Sequence, residues 1–240
     1  MFAHVQDQRA TAAKDDATLR ISLDTKAKVK IGEFSRGGQA RGATATRAAD
    51  HDMGSQSTLV PLGILEVSRG AERIDQLWLG FGESRETSDF IADALQAWWS
   101  ERGSLHPNVR RLHVELDNGP EINSSRTQFM KRLVDFSDES GLEIELVYFP
   151  PYHSKYNPIE RCWGVLERHW NGTLLSSIET ALNWAATMTW RGIRPIIHRL
   201  EGEYDRGVRI ARTAYRPIAE RLHRSETLPK WSLAITPVTR

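Results

Sequence analysis

The chain has 240 residues, of which 40% are hydrophobic, 8% aromatic and 26% charged, and its formal net charge is +1. This is the composition of a globular protein with a sizeable core, which excludes disorder throughout and a long multi-domain assembly. The longest apolar stretch, about Leu59 to Leu65, contains Pro61 and Gly63 and is far shorter than the roughly 20 residues of a membrane helix, so no membrane partner is expected.

Residues 1–18 have weak periodicity and are expected as a frayed N-terminal arm, with no apolar block of the secretory kind. From Arg20 the pattern sharpens: Ile21, Leu23, Ala27, Val29 and Ile31 alternate with Asp24, Lys26, Lys28 and Lys30, the period of a strand. If that run stays extended, Asp24 and the three lysines share one face. Residues 32–58 are glycine-rich and polar and read as a long loop, followed by strand-like runs at Thr58 to Val67 and Ile74 to Phe81. Glu86 to Arg102 has a helical stripe of Phe90, Ile91, Ala94, Leu95, Trp98 and Trp99.

Arg110 to Leu116 alternates again, with His113, Glu115 and Asp117 opposite Leu112, Val114 and Leu116, and stops at the turn signal Asn118, Gly119, Pro120. Thr127 to Glu139 reads as a helix and Leu142 to Phe149 as a strand. A loop, Pro150 to Asn157, then enters a helix from Pro158 whose buried stripe is Ile159, Trp163, Leu166 and Trp170. Ser176 with Glu179 has the spacing of a capping box for one more helix. The rest, from Trp190, is arginine-rich and expected to be helical. Three strands followed by alternating helices and strands imply an α/β fold, a mixed sheet covered by helices. The expected divisions are an arm at 1–18, an α/β domain at 19–175 and a helical basic C-terminal extension at 176–240.

Charge is segregated along this order. Arg20 to Arg47 holds seven basic and two acidic residues, 48–190 holds 12 basic and 21 acidic, and Arg191 to Arg224 holds nine basic and four acidic. Basic segments around an acidic body suit a protein that holds an anionic polymer beside carboxylates, although separate solvated faces would look the same. Cys162 is the only cysteine, which removes disulfides and cysteine zinc sites, and no phosphate-binding glycine loop or hydrolase motif is present.

What remains is carboxylates at element ends: Asp24 on the first strand, Asp117 at the end of a later one and Glu160 in the first turn of a helix. Gathered together, they would repel one another unless hard cations such as magnesium neutralised them, and two such ions can drive phosphodiester displacement. Each has a plainer explanation. Asp24 suits a half-exposed strand, Asp117 suits a turn, and Asn157, Pro158 and Glu160 have the order of a capping box. Asp50 and Asp52 are rival metal candidates. His153 and Lys155 lie in an aromatic loop suited to gripping a phosphate, and Arg206, Arg209, Arg212 and Arg216 recur at helical spacing suited to a DNA backbone.

Leu116-Asp117-Asn118-Gly119-Pro120-Glu121, Arg126 to Met130 and, most densely, Tyr148 to Trp163 resemble the catalytic domain of bacterial insertion-sequence transposases of the Rhodopirellula-type DDE group, relatives of mariner-like enzymes. Asp24 to Ala27 and Ile31 to Gly38 resemble the first catalytic strand and the segment after it. The resemblance implies a ribonuclease H-like five-stranded mixed sheet carrying Asp24, Asp117 and Glu160 as first, second and third acids. It also implies two Mg2+ ions, with Mn2+ as a substitute, and DNA as partner; the contacts expected from the basic residues themselves are Lys26, Lys28, Lys30, Arg36, His153, Lys155, Arg206, Arg209 and Arg212. The expected activity is cutting of transposon ends and joining of the freed 3′-hydroxyls to target DNA, in a homo-oligomeric synaptic complex within the cytoplasm at the nucleoid. Such enzymes usually carry a helix-turn-helix region ahead of this domain. With about twenty residues before the first strand, the expectation is a truncated product, or end recognition by the basic segments or by a separate domain or protein. The alternatives are a nuclease of the same fold that never joins strands and a non-catalytic DNA-binding remnant.

Overall fold

The computed structural model describes residues 2–39, 41, 47–52, 55, 57–67, 75–150, 153 and 156–238. In chain order the elements are α1 (Phe2–Lys14), β1 (Thr18–Thr25), β2 (Val29–Ile31), β3 (Ser57–Glu66), β4 (Gln76–Gly82), α2 (Ser88–Arg102), β5 (Arg111–Leu116), α3 (Thr127–Ser140), β6 (Glu143–Tyr148), α4 (Glu160–Trp170), α5 (Ile178–Thr187), β7 (Ile196–Leu200), α6 (Arg212–Ala219), β8 (Leu222–Arg224) and β9 (Ser232–Ile235). The strands β4-β3-β1-β5-β6 lie side by side, antiparallel from β4 to β1 and parallel from β1 to β6. This is the five-stranded mixed sheet of the ribonuclease H-like fold.

Alternation along the strands decides which layer each residue joins. Ile21 and Leu23 of β1, with Leu112, Val114 and Leu116 of β5, pack against Phe90 and Trp98 of α2 and Phe129 and Leu133 of α3. The other sheet face meets α4 and α5 through Leu65, Leu77, Leu79 and Phe81 of β3 and β4, which bury Ile159, Leu166, Trp170, Ala181 and Ala185. On β1 and β5, however, that second face is polar, and it carries Arg20, Ser22 and Asp24 beside His113 and Glu115.

Three expectations need correction. The N-terminal segment is the helix α1, with Val5 and Ala12 buried, and Val5 packs with Val147 and Phe149. Its periodicity is weak because its anchor is ionic. Arg9 Nε donates to Glu115 Oε1 at 2.9 Å, and Arg20 Nη2 donates to the same oxygen at 2.6 Å from β1. Burial alone would push the Glu115 carboxyl up, but the Arg9 bond and the charges of Arg20, Arg9 and His113 hold it below its usual range.

The run from Arg20 to Ile31 is broken into two strands. Both pair with β3, Thr25 opposite Leu62 and Val29 opposite Leu59, so residues 26–28 fill the space of residues 60 and 61. One extra residue is a bulge, and it reverses which side chains face which layer. Val29 and Ile31 therefore join the α4 and α5 layer, whereas Ile21 and Leu23 lie on the opposite one. Lys30 does not share the face of Asp24.

The segment from residue 176 is not a helical extension. It supplies α5 and α6 and also three strands: β7 runs parallel to β4 at one edge, and β9 pairs antiparallel with β6 at the other, with β8 outside it. The arginines there alternate poorly with apolar residues because these strands lie at the sheet edges. Ser177, one residue after the expected cap, accepts from Thr180 N at 3.1 Å to start α5.

Glu115 is 0% exposed between two guanidinium groups, so removing its carboxylate leaves Arg20 with no acceptor among the described residues and Arg9 with the Tyr156 carbonyl alone. Glu115→Ala is expected to lower stability by about 3 to 5 kcal/mol in chemical denaturation. Trypsin should then cut at Arg9 and Lys14 well before the rest of the folded chain.

Candidate active site

The parallel pairing of β1 with β5 sets Ser22 opposite Glu115. Two residues farther along the two strands come Asp24, the penultimate residue of β1, and Asp117, the first residue after β5. The two carboxylates thus leave neighbouring strands at the same end of the sheet and on the same face. Asp117 is also the turn residue that its sequence suggests, because its Oδ1 accepts from Gly119 N at 3.0 Å.

The third acid is brought in by the docking of α4. Asn157 does not cap this helix with its side chain: Nδ2 donates to Leu23 O at 3.1 Å, and Oδ1 accepts from the Ser22 hydroxyl. The Ser22 oxygen accepts in turn from Ile159 N at 3.0 Å. The first turn of α4 is therefore fastened to β1 itself, with Glu160 as its first residue. Among the described residues the Glu160 carboxylate makes no hydrogen bond or ion pair, so the capping box is not formed. Gly63 of β3, paired with Asp24, permits the close approach, since a Cβ there would stand 2.8 Å from both Ile159 and Trp163.

One turn beyond Glu160, Trp163 donates its indole N–H to Asp24 Oδ2 at 2.7 Å. Asp24 is 7% exposed. Its carboxyl is pushed up to about 8, chiefly by burial and further by the negative charges of Glu160 and Asp117, against the bonds from the Trp163 indole and the Thr25 backbone that pull it down. Both of the other sequence-identified acids thus act electrostatically on Asp24. No three His, Cys, Asp or Glu side chains among the described residues stand close enough to share a single ion. The donors nonetheless fit magnesium, which takes hard oxygens from one or two carboxylates and completes its shell with waters and substrate phosphates.

Most of the sequence-identified basic residues stand elsewhere. Lys26 and Arg36 both pair with Glu167 of α4, which ties the segment after β1 to that helix and commits two expected DNA contacts internally. Lys30 pairs with Asp52 in an exposed loop, so Asp52 is no rival metal ligand beside Asp24, and Asp50 is likewise exposed. Lys28 is exposed. His153 is exposed with its ring stacked on Tyr156, and Lys155 lies outside the described residues. Arg206 and Arg209 sit in an irregular exposed segment and Arg212 opens α6, so the helical spacing does not make one arginine face.

Ser22, Asn157, Gly63 and Trp163 were not identified as parts of the site from sequence. The signal for Ser22 is its parity with Asp24, and that for Trp163 is its place one helical turn after Glu160.

Two measurements check this geometry. The folded value of Asp24 lies above the ordinary 3.8, so between those pH values the folded state keeps a proton that the unfolded chain releases. Stability without metal should therefore fall as pH rises from 3.8 to about 8 and level off above it. Within that window each tenfold drop in proton concentration costs the wild type about 1.4 kcal/mol at most. Asp24→Asn should abolish that share of the pH dependence and raise the thermal midpoint in chelator at the upper end of the window. Gly63→Val should push α4 off the sheet and lower stability by about 1 to 3 kcal/mol. A Gly63→Val protein as stable as the wild type would mean that the close approach is dispensable.

Comparison with curated protein sequences gives no match. The model of one family, described as the Rhodopirellula transposase DDE domain, matches residues 1–237. That span includes α1, the acid-bearing strand ends, α4 and both edge additions to the sheet, so the chain belongs to the Rhodopirellula transposase DDE domain family.

Proposed function

We propose that the chain is the catalytic domain of a DNA transposase, with Asp24, Asp117 and Glu160 as its acids and two Mg2+ ions, or Mn2+ in their place, as its cofactors. The family supports a transposase function that generally depends on divalent metal. The observation that carries the residue assignment is the coupling of the buried Asp24 carboxyl to both Glu160 and Asp117 at the end of adjacent parallel strands. Surplus negative charge with no basic side chain bonded to any of the three acids among the described residues suits a site completed by cations.

The reaction is a pair of phosphodiester displacements, first by water at a transposon end and then by the freed 3′-hydroxyl on target DNA. Asp24, Asp117 and Glu160 would hold the metal, which when bound would supply charge stabilisation on the phosphoryl oxygens and activation of the attacking oxygen. The chain's own residues contribute position. The Trp163 indole holds one oxygen of Asp24, and the Gly119 N–H holds one oxygen of Asp117. Glu160, unbonded on a helix fastened to β1, is free to adjust when substrate arrives. Synapsis in a homo-oligomer and recognition of the ends by a separate domain or protein complete this proposal.

The test is cleavage and strand joining on DNA carrying the element's ends, with magnesium or manganese. Glu160→Gln should keep its fold and its DNA binding but lose activity on the order of a hundredfold or more. Wild-type cleavage without joining would replace the proposal with a nuclease. Binding with no cleavage by either protein would replace it with a DNA-binding remnant.

A further inference from the structure

On the α1 and α4 side of the sheet, a cavity of about 450 Å³ opens between α1, the start of α4 and the turn at residues 190–193. Four arginines line it, Arg9, Arg20, Arg161 and Arg191, with Tyr156 and Trp190 beside them. Among the described residues, two carboxylates bond to this set: Glu115 holds Arg9 and Arg20, and Asp75 holds Arg191 at 2.7 Å. The cavity therefore keeps a net positive charge. Arg9 and Arg20 each reach Glu115 through Nε and Nη2, which leaves the Nη1 end of each guanidinium without an acceptor among the described residues. Arg161 is exposed and bonds through its side chain to none of them.

Arg191 is held in an unusual way. Trp190 and Ile193 exchange backbone hydrogen bonds of 2.8 and 3.0 Å, and the two residues between them have positive φ, 50° at Arg191 and 84° at Gly192. Such a turn favours asparagine or glycine at both places, and an arginine in the left-handed region is strained. Its guanidinium stacks 5.5 Å from the Trp190 ring and lies on Asp75, so the strained turn delivers a positive group to the cavity wall.

We propose that this cavity is a DNA-contact site distinct from the three acids, which takes a backbone phosphodiester of the strand that runs past Glu160. Guanidinium forks match phosphate oxygens in both charge and geometry. Arg161 follows Glu160 directly at the start of α4, so a strand engaged at the acids passes the cavity mouth within a few nucleotides. Tyr156, 41% exposed on the same side, offers a ring surface for the adjoining sugar or base. The inference rests on the reading that the chain handles DNA, and it adds where the backbone is gripped.

The experiment measures binding of a short fluorescein-labelled duplex by anisotropy, in chelator so that no cleavage intervenes, across a series of salt concentrations. Arg161→Glu alters a side chain with no bond to lose, and Arg191→Gly relaxes the turn while it removes the charge. Arg161→Glu should retain the wild-type thermal midpoint, whereas Arg191→Gly, which also takes a partner from the buried Asp75, is compared at a temperature where it is fully folded. Each should weaken binding by about fivefold or more and reduce the slope of log Kd against log salt by about 1. Arg110→Glu, the same charge change as Arg161→Glu on an exposed residue outside the cavity, should bind within about twofold of wild type. Equal weakening by Arg110→Glu would overturn the proposal in favour of general electrostatics. Calorimetry with inorganic phosphate and with deoxyadenosine monophosphate separates a small-anion pocket from a backbone contact. Arg161-dependent binding of either, with duplex binding untouched by Arg161→Glu, would also overturn it. If wild type binds duplex and both cavity variants match it, the cavity assignment fails alone; if wild type binds no duplex, the DNA-handling reading fails with it.

Discussion

The central strands β1 and β5 bury an apolar face and a polar face, and the polar one must be covered by helices that leave no charge stranded. The covering helices supply different chemistry along its length. At the start of the strands, α1 offers Arg9 to Glu115, and Arg20 completes a carboxylate held by two guanidinium groups. In the middle, the Asn157 amide and the Ser22 hydroxyl satisfy each other and two backbone groups. At the far end, Asp24 receives the Trp163 indole N–H and no guanidinium among the described residues, while two further carboxylates bear on it. Neutralisation thus fades from one end of the strands to the other, and the uncompensated end is where the acids gather.

Close packing makes this arrangement possible. Gly63 lies between Asp24 on the neighbouring strand and the Ile159 and Trp163 side chains above it, so the indole can reach the carboxylate only because β3 has no side chain in the way. The hydrogen bonds from Ser22 and Asn157 fix the same helix end from the side. A buried carboxyl beside two others is costly in the absence of cations, and sites of this kind commonly trade stability for function.

Much of this was legible in the sequence, and what was not has particular causes. The offset of 93 residues between Asp24 and Asp117 is the same as that of the observed β1 and β5 pairing, in which Ser22 faces Glu115. The stripe of α4 was legible too, because Ile159, Leu166 and Trp170 bury themselves as their spacing requires. The bulge after Thr25 was hidden because Ala27, Val29 and Ile31 keep the numerical parity of Ile21 and Leu23 while the chain switches faces beneath them. α1 escaped detection because an arginine, rather than an apolar stripe, anchors it. Asn157, Pro158 and Glu160 matched a capping pattern, yet the Asn157 side chain found better partners on a strand 134 residues away in sequence. Long-range partners of this kind have no local signature.

The placement of β7 and β9 bears on how the protein reaches its native state. Each closes one edge of the five-stranded sheet, and both come from the last fifth of the chain. Until that segment is in place, β4 and β6 present unpaired backbone on opposite sides of a sheet whose interior strands are strongly apolar, a geometry that invites pairing with other chains. Contacts between such distant parts of a chain form slowly, because loop-closure entropy is lost before the pairing compensates it. During synthesis the acids and their helix can therefore assemble before the edges are sealed, and the short, arginine-bearing strand β8 at the finished border limits further growth of the sheet.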